Sequence, residues 1–419
     1  MDHFSSRHDG LYAEDVPLRR IADAVGTPLY IYSAATLRRH YDILADEFKN
    51  RDALIAFAVK ALSNIAVLAL LGRRGAGADI VSGGELYRAL KAGIPAERVV
   101  FSGVAKSRGE MEAALNAGIL QFNVESEAEL AHLSAVASAL GKTAPVALRV
   151  NPDVDAGTDT RISTGRKDDK FGVPFADAGR LYRLAAALPG LRPQGLTVHI
   201  GSQITSVAPF ERAAARVGGL VTSLRAEGHE VTHLDLGGGL GIPYERAAAA
   251  PPLPVDYAAT LNRATADLNV RLILEPGRLI AGNAGLFVTR IVLTKNQEGT
   301  HYALVDGAMN DLIRPALYGA RHEVMEDTPP TGVPVHHHIA GPVCESTDLF
   351  AKDVPLHEVS AGALLAFRTA GAYGAVQASQ YNTRPLVPEV LVDGDRFTVI
   401  RRRPTYEEML SLEVIPDDF

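Results

Sequence analysis

The chain has 419 residues, 47% of them hydrophobic and 22% charged, with a formal net charge of −7. That balance excludes a disordered chain and, with no block of Lys and Arg to follow phosphates, argues against nucleic acid or an anionic membrane as partner. The longest greasy run, "IAVLALL" at Ile65 to Leu71, is far too short to span a bilayer, and the polar start "MDHFSSRHDG" lacks a signal peptide's apolar centre, so a cytoplasmic protein handling small molecules is expected.

The first strand signal is "TPLYIYS", Thr27 to Ser33. Eight short apolar or β-branched runs follow: "LIAFAVK" ending at Lys60, "ADIVS" at Ser82, "RVVFSG" at Gly103, "LQFNV" at Val124, "VALRVNP" at Pro152, "LTVHIGS" at Ser202, "HLDLGGG" at Gly239 and "LILEPGR" at Arg278. Between them lie alanine-rich stretches of helical spacing, such as "GGELYRALKAG" and "SEAELAHLSAVASALGK", opened by Ser or Asn and closed by Gly, as helix caps prefer. Eight alternations with strands buried on both faces describe a (β/α)8 TIM barrel, placed at 36–283. "AAAAPPLP", Ala247 to Pro254, is the one low-complexity patch and is expected to be a loop after strand seven.

Beyond Leu286 the texture turns to strands separated by turn signals such as Asp393, Gly394 and Asp395. An all-β domain is expected, formed by 284–419 and completed by the N-terminal strand within 1–35. "HHH" at His336 to His338 invites a metal reading, but alternation along a strand sends neighbours to opposite faces, so an ordinary strand is preferred and no metal site is expected. With one cysteine in the chain, Cys344, neither a disulfide nor a Cys-based zinc site is available within it.

Barrel chemistry sits where strands end. Standing there are Lys60, Asp79 and Ser82, Arg149 and Asn151, His199 and Ser202, Gly237 to Gly239, and Glu275 with Arg278. A lysine closing the apolar "AFAVKA" is expected in a poorly solvated pocket, which favours a neutral amine able to condense with an aldehyde; the competing reading is a rim lysine that snorkels to water. "GGGLGI" offers backbone N–H groups unobstructed by Cβ where barrels bind phosphate, or else it is a tight turn. It is no dinucleotide fingerprint, because Ile242 stands where the last glycine should be.

Lysine, phosphate cradle and carboxylate in one mouth point to pyridoxal 5′-phosphate: its aldehyde on Lys60, its phosphate on Gly237, Gly238 and Gly239, and Glu275 facing the pyridine nitrogen. His199 either lies against the ring or is a hydrogen-bonded core histidine. Arg278 is suited to a phosphate or a substrate carboxylate. "VCESTD" mixes a thiol with an acid and reads as a functional loop, although free Cys is often core.

With these residues in place, the chain resembles the fold type III pyridoxal-phosphate decarboxylases along nearly its whole length. "AVKA" around Lys60, "HIGSQ" from His199, "GGGLG" from Gly237, "EPGR" from Glu275, "RPALY" from Arg314, "CES" from Cys344 and "GAYG" from Gly371 follow the family's order. "RISTGRKDDKFG" after strand five resembles the family's loop near the substrate, with Arg161 where an aromatic is common. The resemblance implies that Lys60 holds the cofactor. It implies that Gly239, Glu275, Pro276, Gly277 and Arg278 bind it and that Tyr373 reaches its phosphate; with Asp79, His199, Ser202, Gly237 and Gly238 from the strand ends, these make the expected binding set. It implies a substrate site of Arg278, Arg314, Tyr318, Glu345 and Tyr373, with Cys344 as proton donor beside the catalytic Lys60 and His199. It further implies a homodimer whose active sites are shared, Cys344 and Glu345 coming from the second subunit. The implied reaction is decarboxylation of meso-diaminopimelate to L-lysine and CO2, the last step of lysine biosynthesis. Alternatives are a decarboxylase of another amino acid (ornithine or lysine, a polyamine precursor or a carrier-bound amino acid) and a non-catalytic carrier of pyridoxal phosphate.

Overall fold

The computed structural model describes residues 2–157, 161, 164–165, 169–245, 250–328, 332–357 and 359–417. Within the strand-five loop, residues 162–163 and 166–168 lie outside the described residues, as do 247–249 of the expected loop after strand seven. The chain divides into two compact units, one made of 38–243 with 249–280, the other of 1–37, 244–248 and 281–419.

The first unit is a closed parallel barrel. Its strands are β1 (Ala53–Ala58), β2 (Gly77–Ile80), β3 (Val99–Phe101), β4 (Gln121–Val124), β5 (Ala144–Asn151), β6 (Leu191–Thr197), β7 (His233–Asp235) and β8 (Arg271–Leu274). Each pairs in parallel with its sequence neighbours, and β8 returns to β1, so no strand edge is left open. The eight expected runs thus become eight staves. They read as apolar runs because parallel strands here are covered on both faces: all four residues of β2 and of β4 are buried. Leu54, Ala56, Val100 and Ile273 pack together as one core cluster.

Caps start the intervening helices where the sequence marks them. Asn64 accepts the N–H of Ala66, Ser82 that of Glu85 and Ser126 that of Glu129, while Ser107 and Glu110 form a reciprocal capping box. Each such cap is worth about 1 kcal/mol. Ser82, one of the strand-end residues, therefore has a structural use.

The second unit is built on a long sheet in which Leu29–Ser33 lies between Gly285–Gln297, antiparallel to it, and Glu389–Asp393, parallel to it. The N-terminal strand is therefore central to the β domain, as its fully buried LYIYS pattern demands. Leu29, Ile31, Leu286, Val288, Val390 and Val392 pack with Leu18 and Ile21 of the preceding helix, Leu18–Val25. Gly394, with φ of 63°, turns the hairpin from Glu389–Asp393 into Arg396–Arg401. His336 to His338 lie in the strand Val335–Ala340: His337 is buried, His336 bonds Asp353 and His338 accepts the Asp353 N–H. A three-stranded meander, Phe4–Arg7, Gly10–Ala13 and Val16–Pro17, opens the unit without any clear announcement in the sequence.

Candidate active site

Lys60 sits in a single 3-10 turn, Val59–Ala61, immediately after β1. Its Nζ donates to Asp79 Oδ2 at 2.7 Å, while Asp79 Oδ1 is buried without a hydrogen-bond partner among the described residues. The apolar pocket expected around this amine needs correction. The lysine side chain is one-third exposed, and the carboxylate it pairs with is itself fully buried.

His199 lies two residues past the end of β6. The single hydrogen of the Thr164 hydroxyl goes to His199 O at 2.9 Å, so at 2.8 Å from the ring that oxygen accepts from His199 Nδ1–H. This fixes one neutral tautomer and leaves Nε2 as an acceptor. Burial holds the imidazole well below its ordinary range, and the charges of Arg149 and Lys60 push the same way. Arg149 itself is buried and paired with Glu125 Oε1 at 2.9 Å.

Gly237 and Gly239 adopt φ of 64° and 107°. A Cβ on Gly238 would stand 2.2 Å from Glu275 O, and one on Gly239 2.2 Å from Gly201 O, so close approach of three chain segments requires glycine here. Part of the cluster's meaning is therefore the tight turn. The Gly237 N–H is taken by Asp235 Oδ1 at 2.9 Å. Those of Gly238 and Gly239 meet no acceptor among the described residues, which is what an incoming phosphate requires.

The strand-eight segment is held from both sides: Glu275 N–H donates to Gly237 O at 2.8 Å, and Pro276 O accepts from Ala58 N–H at 3.1 Å. Gly277 O accepts the Ile280 N–H, opening the short turn that carries Arg278. Arg278 Nη2 reaches Ser202 Oγ at 3.1 Å, linking the ends of β8 and β6. The Glu275 carboxyl is buried against Ser102 and Asn123 at 3.4 and 3.2 Å. Burial first, then the neighbouring Asp235 and Asp79, push it well above the usual carboxylate range, and the Lys60 charge pulls back. Lys60, Asp79, His199 and Glu275 thus act on one another at the same end of the barrel. Ser102, Asn123 and Asp235 join them, although no motif singles them out; the available signal is that each lies in or just after a barrel strand. An amine, open N–H donors and a buried acid fit pyridoxal 5′-phosphate.

The second unit carries the remaining expected residues. Arg314 begins the helix Arg314–Tyr318, buried, with its guanidinium 4.6 Å from the centre of the Tyr244 ring. His322 Nδ1 donates to Arg368 O at 2.8 Å, so Nε2 accepts from Arg314 Nη1 at 3.2 Å. Tyr318 closes the same helix, before Gly319 in the left-handed region.

Cys344 is exposed, on a loop shaped by Asp348, which accepts the N–H groups of Val343 and Met309 at 2.6 and 2.7 Å. Glu345 receives the Tyr381 hydroxyl on Oε1 at 2.5 Å and the Thr347 hydroxyl on Oε2 at 3.1 Å. Tyr373 has φ of 57°, an uncommon conformation for an aromatic residue. Tyr244, His322, Asp348 and Tyr381 are partners that sequence reasoning does not reach.

A family model described as the pyridoxal-binding domain of pyridoxal-dependent decarboxylases matches residues 34–282. A diaminopimelate decarboxylase of Vibrio cholerae is 49% identical over 100% of both chains, and one of Haemophilus influenzae 47% identical over 99% of both. The solved M. jannaschii diaminopimelate decarboxylase in co-complex with L-lysine superimposes with a TM-score of 0.95 at 34% identity, covering 100% of this chain and 99% of that one. A lysine/ornithine decarboxylase of Vibrio vulnificus, at 22% identity and a TM-score of 0.79 over 90% of this chain and 97% of that one, shares the fold. With matches of this length and identity, the chain belongs to the pyridoxal-dependent decarboxylases.

Proposed function

We propose that this enzyme decarboxylates meso-diaminopimelate to L-lysine and CO2, the last step of lysine biosynthesis, as a cytoplasmic homodimer. The observation that carries the chemistry is the meeting of Lys60, the open Gly238 and Gly239 donors and the buried Glu275 at one end of the barrel. Pyridoxal 5′-phosphate, bound there, supplies the electron sink that accepts the bonding electrons as CO2 departs. Residues 36–283 form the cofactor-binding domain, and 1–35 with 284–419 the β domain.

Lys60 would hold the cofactor through its aldehyde carbon. The Gly237 to Gly239 turn, Ser202, Gly277, Arg278 and Tyr373 would receive the phosphate, and Pro276 keeps Glu275 in place. Glu275 presents its carboxyl to the ring nitrogen. His199, neutral and oriented by Thr164, supports the ring face without adding a charge. Arg314 and Tyr318 receive the far carboxylate of the substrate, which a simple diamine precursor lacks, and Glu345 of the second copy receives the ammonium beside it. Arg278 and Tyr373 would also border the substrate, and Cys344 of that second copy would be the proton donor.

Purified protein given pyridoxal 5′-phosphate and meso-diaminopimelate should release CO2 and lysine in equal amounts, with ornithine and lysine turned over far more slowly. Turnover of ornithine or lysine in preference to meso-diaminopimelate would overturn the assignment.

A further inference from the structure

Behind the acid of β8 stands a second one. Asp235, the last residue of β7, is fully buried, and its two oxygens serve different parts of the site. Oδ1 accepts the Gly237 N–H at 2.9 Å, at the start of the glycine turn. Oδ2 lies 3.3 Å from Asn123 Nδ2, and that nitrogen is also 3.2 Å from Glu275 Oε1. The Asn123 amide is oriented from its other side, because Gln121 Nε2 donates to Asn123 Oδ1 at 2.8 Å. Its NH2 therefore faces both carboxyls, with Ser102 Oγ 3.1 Å away.

We propose that Asp235 is a positioning residue that ties the phosphate-binding turn to the ring-nitrogen acid and shares one proton with that acid. The inference rests on the cofactor placement given under Proposed function and deepens it.

Two carboxylates in dry surroundings cannot both ionise cheaply. The groups around the pair are Asp79 on β2, the Lys60 cation paired with it, the Tyr257 hydroxyl, and the neutral Ser102 and Asn123. Among these groups one cation faces three acids, and a single amide bridging the pair cannot offset two charges. Burial raises the Asp235 carboxyl, and it raises that of Glu275 well above the usual carboxylate range, in keeping with one proton held between them. The pair then makes cofactor affinity depend on pH, and the Oδ1 contact makes it depend on the shape of the turn.

The test titrates the full-length chain, stripped of cofactor, with pyridoxal 5′-phosphate by fluorescence from pH 5 to 8. In Asp235→Asn an amide still accepts from Gly237 but cannot share a proton. Its best affinity should stay within about threefold of wild type, while the midpoint of its pH profile moves down by about one unit or more, because Glu275 no longer opposes a second acid. Asp235→Ala loses the turn contact as well and should bind about tenfold or more weakly at every pH. A D235N profile superimposable on wild type, or D235A binding as wild type does, overturns the proposal; D235N, being isosteric, keeps the test decisive if D235A folds poorly. Glu275→Gln separates the two levels. It should flatten the profile, and if it leaves the profile unchanged the ring-nitrogen placement itself fails and takes the proposal with it.

Discussion

Lys60 Nζ lies 2.7 Å from Asp79 Oδ2, and Asp79 is the more deeply buried of the two, with no exposed side-chain surface. The acid is therefore the member that depends on its partner, while the one-third-exposed amine can turn towards water. Replacing Asp79 by Asn removes a buried charge and one partner of an amine that solvent can still reach. Urea unfolding of the cofactor-free variant should show a loss of about 1 to 2 kcal/mol, below the cost of orphaning a fully buried ion, with an unchanged m-value.

Arg314 should matter for the far end of the substrate. In the proposed pose its loss leaves the second carboxylate without its guanidinium partner in a partly dry pocket, so Arg314→Ala should lower kcat/KM for meso-diaminopimelate by about 2 to 5 kcal/mol of transition-state stabilisation. Steady-state kinetics decide the matter, and an unchanged kcat/KM would argue against this pose.

The pH dependence of stability follows from His199. Its folded-state affinity for a proton is depressed, whereas the unfolded imidazole binds one near pH 6.5. Stability from this residue is thus complete above that value and falls as pH drops below it, by up to about 1.4 kcal/mol per pH unit. Comparing urea midpoints at pH 7 and 5.5, wild type should lose more than His199→Gln. Equal losses would mean that the ring is charged in the fold.

If Cys344 gives the proton that replaces CO2, Cys344→Ala should cut kcat by about 10² to 10⁴ with little change in KM for meso-diaminopimelate. Full kcat in the variant would move the donor elsewhere.

The barrel is legible in the sequence because staves covered on both faces leave short apolar runs, and the Ser and Asn caps between them mark where each helix starts. β6 is only half legible: it begins at Leu191, and Arg192, Pro193 and Gln194 disguise its first turn of chain. The N-terminal meander is illegible for a different reason. "FSSRHDG" has no alternation of its own, and the meander is anchored by Asp327, more than 300 residues away, which accepts from Leu11 N–H and Arg19 Nε, both at 3.1 Å. In the site, Lys60 and Glu275 stand out as charges at the ends of apolar strands. Asp235 and Asn123 do not, because their meaning lies in which oxygen faces which amide across adjacent staves, and no spacing along the chain encodes that.

The central claim is that Lys60 carries the cofactor. Reducing the holoenzyme with borohydride and mapping its peptides by mass spectrometry tests it most directly. The pyridoxyl phosphate mass should be found on the peptide containing Lys60 and should disappear in Lys60→Ala together with turnover. The label on another lysine, such as the buried Lys106, or a Lys60→Ala enzyme that keeps both label and turnover, would contradict the account.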